Sequence, residues 1–187
     1  MVKSKYNIGY QYITAIYWIV GFVIIIWLIE IFNGSFDHLL CDYGIFPRTK
    51  FGLLGILFSP FLHFGFEHVM MNTLPFIILA GFVILHNPGK FLKVSIFIIL
   101  VGGFGVWLFG RAAYHVGASG LIFGYFGFII SRSWYERSLI TTLIAILAIL
   151  LYGGMLVGMV PLFSYVSWEA HFFGFLSGIL AARVLIK

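Results

Sequence analysis

Six apolar segments, separated by more polar or glycine-rich stretches, dominate the pattern of this chain. They cover about residues 12–32, 66–85, 91–109, 119–130, 139–160 and 168–186. Five of these runs have the length of helices that cross the ~30 Å hydrocarbon core of a bilayer, at ~1.5 Å of rise per residue, whereas residues 119–130 would form a short helix of about 18 Å. The pattern therefore predicts one all-α membrane domain over residues 1–187, built as a bundle of six transmembrane helices.

The connection between the first two segments, residues 33–65, is the longest in the chain. Its second half is too apolar for a solvated loop, but Gly52, Gly55 and Pro60 argue against a full span. We therefore expect a short helix in the outer leaflet, so that this first loop is embedded in the membrane.

Composition and charge support the membrane assignment. Of the 187 residues, 62% are hydrophobic and 9% are charged, whereas about a quarter are charged in soluble domains. Most basic residues follow the even-numbered segments or lie at the N-terminus: Lys3, Lys5, Lys90, Lys93, Arg132, Arg137, Arg183 and Lys187. By the positive-inside rule both termini are predicted to be cytoplasmic. The basic residues behind the net charge of +5 are thus explained by the orientation of the chain in the membrane, and they do not indicate a nucleic-acid partner. The lone Cys41 is interpreted as a loop thiol.

Three polar side chains on the even-numbered segments have a similar predicted depth. If Arg132 marks the cytoplasmic membrane face, Ser119 lies about 20 Å above it. His171 lies about 18 Å above Arg183, and Asn72 lies about 21 Å above the end of the second segment. Since polar groups within a bilayer are costly unless they face the bundle or a water-filled cavity, the shared depth predicts a shared site.

The residue types at this depth are suited to nucleophilic catalysis. Ser119 is a weak nucleophile until a base removes its proton, and His171 can act as that base. His68 and Asn72, spaced i and i+4 on one helical face, can donate to an oxyanion together with the serine N–H.

Glycines on the fourth and sixth segments predict that these two helices pack closely. Gly120 and Gly124 share one face of the fourth segment, and Gly174 and Gly178 share one face of the sixth. Small residues at this spacing allow two helices to pack closely, which would bring the serine to the histidine.

The chain resembles the rhomboid family of intramembrane serine proteases over about residues 47–178. Three motifs carry the resemblance, in the family's order: His63-x4-His68-x3-Asn72, Gly117-Ala118-Ser119-Gly120 with Gly124, and Ala170-His171-x2-Gly174-x3-Gly178. The resemblance implies a rhomboid-like bundle in which residues 33–65 form the membrane-embedded first loop and residues 161–167 a mobile cap.

The resemblance also implies an activity and its residues. Ser119 would be the nucleophile, His171 its general base, and His68, Asn72 and the Ser119 N–H the oxyanion hole, while His63 would orient the first loop. The implied enzyme is a multi-pass protein of a bacterial inner (plasma) membrane. It would hydrolyse peptide bonds in or next to transmembrane segments of other proteins, in contact with lipid and without cofactor, metal or nucleic acid.

Two positions depart from the family's pattern. Phe123 stands where many members have a tyrosine that stacks on the histidine, so the ring is kept and the hydroxyl is lost. A Trp-Arg pair that some bacterial members carry in the first loop is absent, and Pro47-Arg48 stands at the approach to that loop.

Other protease mechanisms and functions fit these residues less well. Glu169 lies two residues before His171, and side chains at this spacing on a helix do not face each other. We therefore interpret Glu169 as a favourable negative charge in the first turn of the helix and not as the third member of a catalytic triad. The sequence contains no His-Glu-x-x-His motif, which an intramembrane metalloprotease would need. The alternative function is a catalytically silent rhomboid-like protein that binds transmembrane segments; a transporter is the other class considered. His38 and His115 are expected at the outer water interface, without a chemical role.

Overall fold

Seven α-helices make up most of the computed structural model, which describes residues 2–162 and 165–186. They are α1 Val2–Gly34, α2 Lys50–Phe58, α3 Phe66–His86, α4 Phe91–Phe109, α5 Ser119–Glu136, α6 Leu139–Tyr152 and α7 Trp168–Leu185. The described part of the chain contains no strand beyond an isolated antiparallel bridge between Ile45 and His115. The all-helical prediction is therefore confirmed. Phe163 and Ser164, in the expected cap, lie outside the described residues, as do Met1 and Lys187.

The helix α5 forms the centre of the bundle. Every residue from Leu121 to Ile129 is buried, and α3, α4, α6 and α7 all pack against this helix. A helix that is apolar on all sides is stable only when neighbours surround it. The outer helices instead expose large apolar side chains, Leu139 and Leu150 among them, as expected for surfaces that face lipid.

The end of α5 differs from the sequence prediction. The helix continues past Ile130 to Glu136, so it does not end at Arg132. The Arg132 side chain is buried and pairs with Glu136 one turn later, at 3.0 Å. At 18 residues α5 is about 27 Å long, and the short helix behind the depth argument for Ser119 is not observed.

The count of six spans stays a prediction. Within the described residues, four helices are long and apolar enough to cross a bilayer, at Ile8–Gly34, Phe66–Leu85, Pro88–Phe109 and Leu139–Met159. The central helices α5 and α7 fall outside this group. Both carry charged residues inside the bundle, Arg132 on α5 and Glu169 on α7. The chain is thus a multi-pass membrane protein with at least these four apolar helices.

The first loop contains the expected short helix. A 3-10 turn over Leu39–Tyr43 precedes α2, and another over Ser59–Phe61 follows it. The Thr49 side chain caps α2 by accepting from the Gly52 N–H at 3.1 Å. Gly52 packs directly on the Phe46 backbone, where an added Cβ would come within 1.9 Å of a carbonyl oxygen. The loop is therefore folded on itself and ordered.

Candidate active site

Ser119 is the first residue of α5, and the turn before it is tightly held. Gly117 has φ of +116°, a conformation that side chains other than glycine rarely adopt. Its N–H donates to the Ser59 carbonyl at 2.8 Å, and the Ala118 N–H donates to Nε2 of His63 at 3.3 Å. Among the described residues no side chain caps α5. The N–H of Ser119 has no intrahelical partner because it lies in the first turn of the helix. A helix N-terminus with free N–H groups favours developing negative charge.

His171 faces this serine from the first turn of α7. Its Nε2 lies 2.9 Å from the Ser119 Oγ, and its Nδ1 lies 2.8 Å from the carbonyl oxygen of Gly158. A carbonyl can only accept, so Nδ1 carries the proton of the neutral ring and Nε2 is an acceptor. The geometry therefore prepares His171 to receive the proton of the Ser119 hydroxyl.

Phe123 fixes the plane of the His171 ring. The two rings stack with centroids 4.1 Å apart and an interplanar angle of 8°. The Phe123 ring thus stacks on the histidine without a tyrosine hydroxyl. Orientation of the imidazole thus rests on the Phe123 ring and on the Gly158 carbonyl.

Glycines bring α5 and α7 into contact, as the sequence predicted. A Cβ on Gly174 would lie 2.1 Å from the Gly120 carbonyl oxygen, and one on Gly178 would lie 1.9 Å from that of Gly124. Such distances leave no space for any side chain. Close packing of the backbones of these two helices sets the spacing of Ser119 and His171.

His68 lies beside the turn that carries the serine. A Cβ added to Gly117 would lie 2.8 Å from Nε2 of His68 and 3.7 Å from Oγ of Ser119, so both atoms border the same small space. The Phe64 N–H donates to Nδ1 of His68 at 3.4 Å. Nδ1 is therefore an acceptor, and the proton of the neutral ring is on Nε2. His68 therefore presents a donor close to the serine.

Asn72 lies one turn along α3 from His68 and is buried. One of its amide hydrogens is bonded to the His68 carbonyl at 2.8 Å. The second hydrogen is available to an additional acceptor.

A family model for the rhomboid domain matches residues 50–187. The chain belongs to the rhomboid family. It is 33% identical over 183 residues to an uncharacterized protein of Mycobacterium tuberculosis, covering 90% of this chain and 76% of that protein. It is 30% identical over 210 residues to an uncharacterized protein of Mycobacterium leprae, covering 99% and 81%. With RHOMBOID-like protein 1 of Arabidopsis thaliana it is 33% identical over 136 residues, 67% of this chain and 32% of that protein.

This rhomboid-family chain anchors its first loop to α4 through Arg48. The Arg48 side chain donates from Nη1 to the carbonyls of Leu108 and Gly110, at 3.2 and 2.9 Å. Its backbone N–H donates to the Trp107 carbonyl, and the Trp107 indole donates to the Thr49 carbonyl at 2.8 Å. The loop is thus fixed without the Trp-Arg pair that some bacterial members carry.

His63 links the first loop to the serine turn and is fully buried. Burial, and secondarily the neighbouring His68, lowers the pKa of His63 to about 3. The ring therefore stays neutral and keeps its acceptor for the Ala118 N–H. Cys41 lies behind it and donates to the His63 carbonyl at 3.2 Å. Burial raises the pKa of this thiol to about 11, consistent with a structural thiol.

The sequence did not predict two features of the site, the Gly158 carbonyl and the burial of His115. The Gly158 carbonyl belongs to a 3-10 segment, Gly153–Met159, that follows α6, and a backbone acceptor has no signal in residue identity. His115 was wrongly expected at the water interface: it is 2% exposed and bonded to Ser167. His38 is partly exposed and pairs with the buried Glu30 at 2.9 Å.

Proposed function

We propose that this protein is an intramembrane serine endopeptidase that uses Ser119 and His171 as a dyad. The observation that carries the proposal is the 2.9 Å contact between Ser119 Oγ and His171 Nε2, made while Nδ1 is bonded to Gly158. Nothing further is needed to make the serine a nucleophile, because the acceptor nitrogen already faces the hydroxyl. Family membership supports the reaction class.

The reaction follows from these positions. Nε2 of His171 takes the hydroxyl proton as Ser119 Oγ attacks the peptide carbonyl carbon. The negative oxygen of the tetrahedral intermediate would be bound by the Ser119 N–H, by Nε2–H of His68 and by the free amide hydrogen of Asn72. His171 then returns the proton to the leaving amine, which leaves an acyl ester on Ser119. Water, deprotonated by the same nitrogen, releases the acid.

The proposed substrates are transmembrane segments of other membrane proteins. A helix in lipid must expose backbone groups before its peptide bond can be attacked, which is costly where no water satisfies them. Segments with small or helix-breaking residues near the cleaved bond are therefore expected. We also propose that both termini are cytoplasmic and that neither metal nor cofactor takes part.

The test is cleavage of a model single-span protein in proteoliposomes. We expect two fragments with the native protein, none after Ser119→Ala, inhibition by a serine-directed covalent inhibitor and no effect of a chelator. Activity should also fall on acidification, since protonated His171 cannot accept the serine proton. Equal cleavage after Ser119→Ala would refute the proposal. Binding of the substrate without cleavage by the native protein would support the silent alternative.

A further inference from the structure

Two short segments, each adjacent to one member of the dyad, are bonded to each other away from the dyad. One is the loop 110–118, which leads into Ser119. The other is the start of α7, from Ser167 to Ala170, which leads into His171. The contacts between them involve side chains for which the proposed reaction has no use.

The first contact joins Ser167 and His115. Nε2 of His115 lies 3.1 Å from the Arg111 carbonyl, which can only accept, so this nitrogen is protonated. Nδ1 is then an acceptor, and the Ser167 hydroxyl donates to it at 2.6 Å. The Ser167 oxygen in turn accepts the Ala170 N–H at 3.2 Å and caps α7. Burial lowers the pKa of His115, which preserves this neutral arrangement.

The second contact joins Glu169 and Arg111. The Arg111 backbone N–H donates to Oε1 of Glu169 at 3.2 Å, and the Arg111 Nε lies 3.7 Å from the same oxygen. An Nη2 of Arg111 also donates to the Val166 carbonyl at 2.6 Å. Glu169 is 1% exposed, and a carboxylate so deeply buried depends on such partners.

The opposite side of the loop is also fixed. The backbone of His115 pairs in both directions with Ile45 of the first loop, at 2.9 and 3.1 Å. The loop can therefore transmit the position of α7 to the turn of Ser119, because it is held between α7 and the first loop and cannot shift freely.

We propose that Ser167, Glu169, His115 and Arg111 are positioning residues, a clasp that sets the distance between Ser119 and His171. The glycine contacts set the spacing of the α5 and α7 backbones, and the clasp sets how the first turn of α7 faces the serine turn. The four residues touch neither substrate nor the reacting atoms. The inference rests on the proposed function, since it explains how that dyad is kept at hydrogen-bond distance.

The experiment compares Ser167→Ala with Ser167→Thr in the full-length protein in proteoliposomes. Removing the hydroxyl leaves the buried Nδ1 of His115 without a donor, and α7 loses its cap. We expect kcat to fall about 10-fold with KM within about twofold, because small misplacements of reacting groups carry costs of this order. Threonine keeps the hydroxyl and should restore kcat.

Ser95→Ala is the matched control. Ser95 is also a buried serine, bonded to the Tyr125 hydroxyl at 2.7 Å in the core between α4 and α5. Its loss should lower the melting temperature and leave kcat unchanged. If Ser167→Ala behaves in the same way, with lower stability and native kcat, the clasp only stabilises the fold and the inference is wrong. Should Ser167→Ala fail to fold, Glu169→Gln, which keeps an acceptor for the Arg111 N–H, is expected to retain more kcat than Glu169→Ala; equal kcat would overturn the inference.

A readout without catalysis separates this inference from the proposed function. The imidazole ¹⁵N signal of His171 reports whether Nε2 accepts a hydrogen bond. We expect Ser167→Ala to move it toward its value in Ser119→Ala, and an unmoved signal would overturn the clasp. A native protein that cleaves no substrate would refute the proposed function, and the ¹⁵N result would still decide the clasp.

Discussion

Two serine–histidine pairs in the described part of the chain differ in what else binds the serine oxygen. Ser119 and His171 are 2.9 Å apart, and Ser167 and His115 are 2.6 Å apart. In the second pair the serine oxygen also accepts a backbone N–H from α7. Among the described residues, none donates to the Ser119 oxygen. The shorter contact is therefore a helix cap, and the longer one leaves a hydroxyl free to react.

The two histidines also differ in their surroundings. His115 is almost fully buried, whereas His171 is half-buried. Both rings use one nitrogen to donate to a backbone carbonyl, Arg111 for His115 and Gly158 for His171. A serine–histidine distance alone thus identifies neither a nucleophile nor a base. The remaining hydrogen-bond partners and access to the site distinguish the two pairs.

The largest expected effect separates the two serines directly. Ser119→Ala removes the proposed nucleophile and should lower kcat at least about 1,000-fold, as loss of the nucleophile does in serine proteases. Ser167→Ala should cost about 10-fold, because it acts only through position. The measurement is cleavage of one transmembrane substrate by both variants at equal amounts of folded protein. Equal losses in the two variants would remove the distinction between the pairs.

The next effect tests the carbonyl that orients His171. A methyl group in Gly158→Ala would stand 2.9 Å from His171 Nδ1 and 3.4 Å from the Phe123 ring. The imidazole must then move, and we expect kcat to fall about 10- to 100-fold. Gly154→Ala, in the same 3-10 segment, is the control because nothing lies within 4 Å of its added methyl. Native kcat in both variants would show that Gly158 does not orient the base.

A smaller effect concerns the ring that stacks on His171. Phe123→Leu removes the aromatic partner at 4.1 Å, and stacked pairs contribute about 0.5–1.5 kcal/mol. We expect kcat to fall about 3- to 10-fold in this variant and to stay within about twofold in Phe123→Tyr. The ratio of the two kcat values is the measurement, and a ratio of one would mean that stacking does not hold the base.

The last effect is on stability, not on kcat, and concerns the turn that carries Ser119. His63, with a pKa of about 3 when folded, titrates near 6.5 in an unfolded chain. Between these values only the unfolded chain binds the proton, so the free energy of unfolding should fall as pH drops from about 6.5 toward 3. Above about 6.5 the group contributes no pH dependence. Thermal unfolding of His63→Gln should lose part of this slope, and an identical slope would contradict the buried neutral ring.

Much of the fold could be predicted from apolar patterning. The start of α3 at Phe66, both ends of α4 and the start of α7 at Trp168 agree with the predicted segments. The end of α5 does not, because Arg132 was interpreted as the end of the segment, whereas the helix continues to Glu136 and Arg132 pairs with that residue. A charged residue that finds its partner one turn later on the same helix can remain inside the bundle.

The candidate site was predictable where side-chain identity carries the chemistry. Spacing and motif order indicated Ser119, His171 and the donors His68 and Asn72. Gly158 could not be found in this way, since the group that contacts His171 is a backbone carbonyl. The burial of His115 was also beyond local pattern, because it depends on the first loop and α7 meeting around it.

The most direct test of the central claim is to locate the adduct of a fluorophosphonate probe by mass spectrometry of the native protein in detergent. The account predicts an adduct on Ser119, no adduct on Ser167, and loss of labelling in Ser119→Ala. An adduct on Ser167, or labelling that survives Ser119→Ala, would contradict the account.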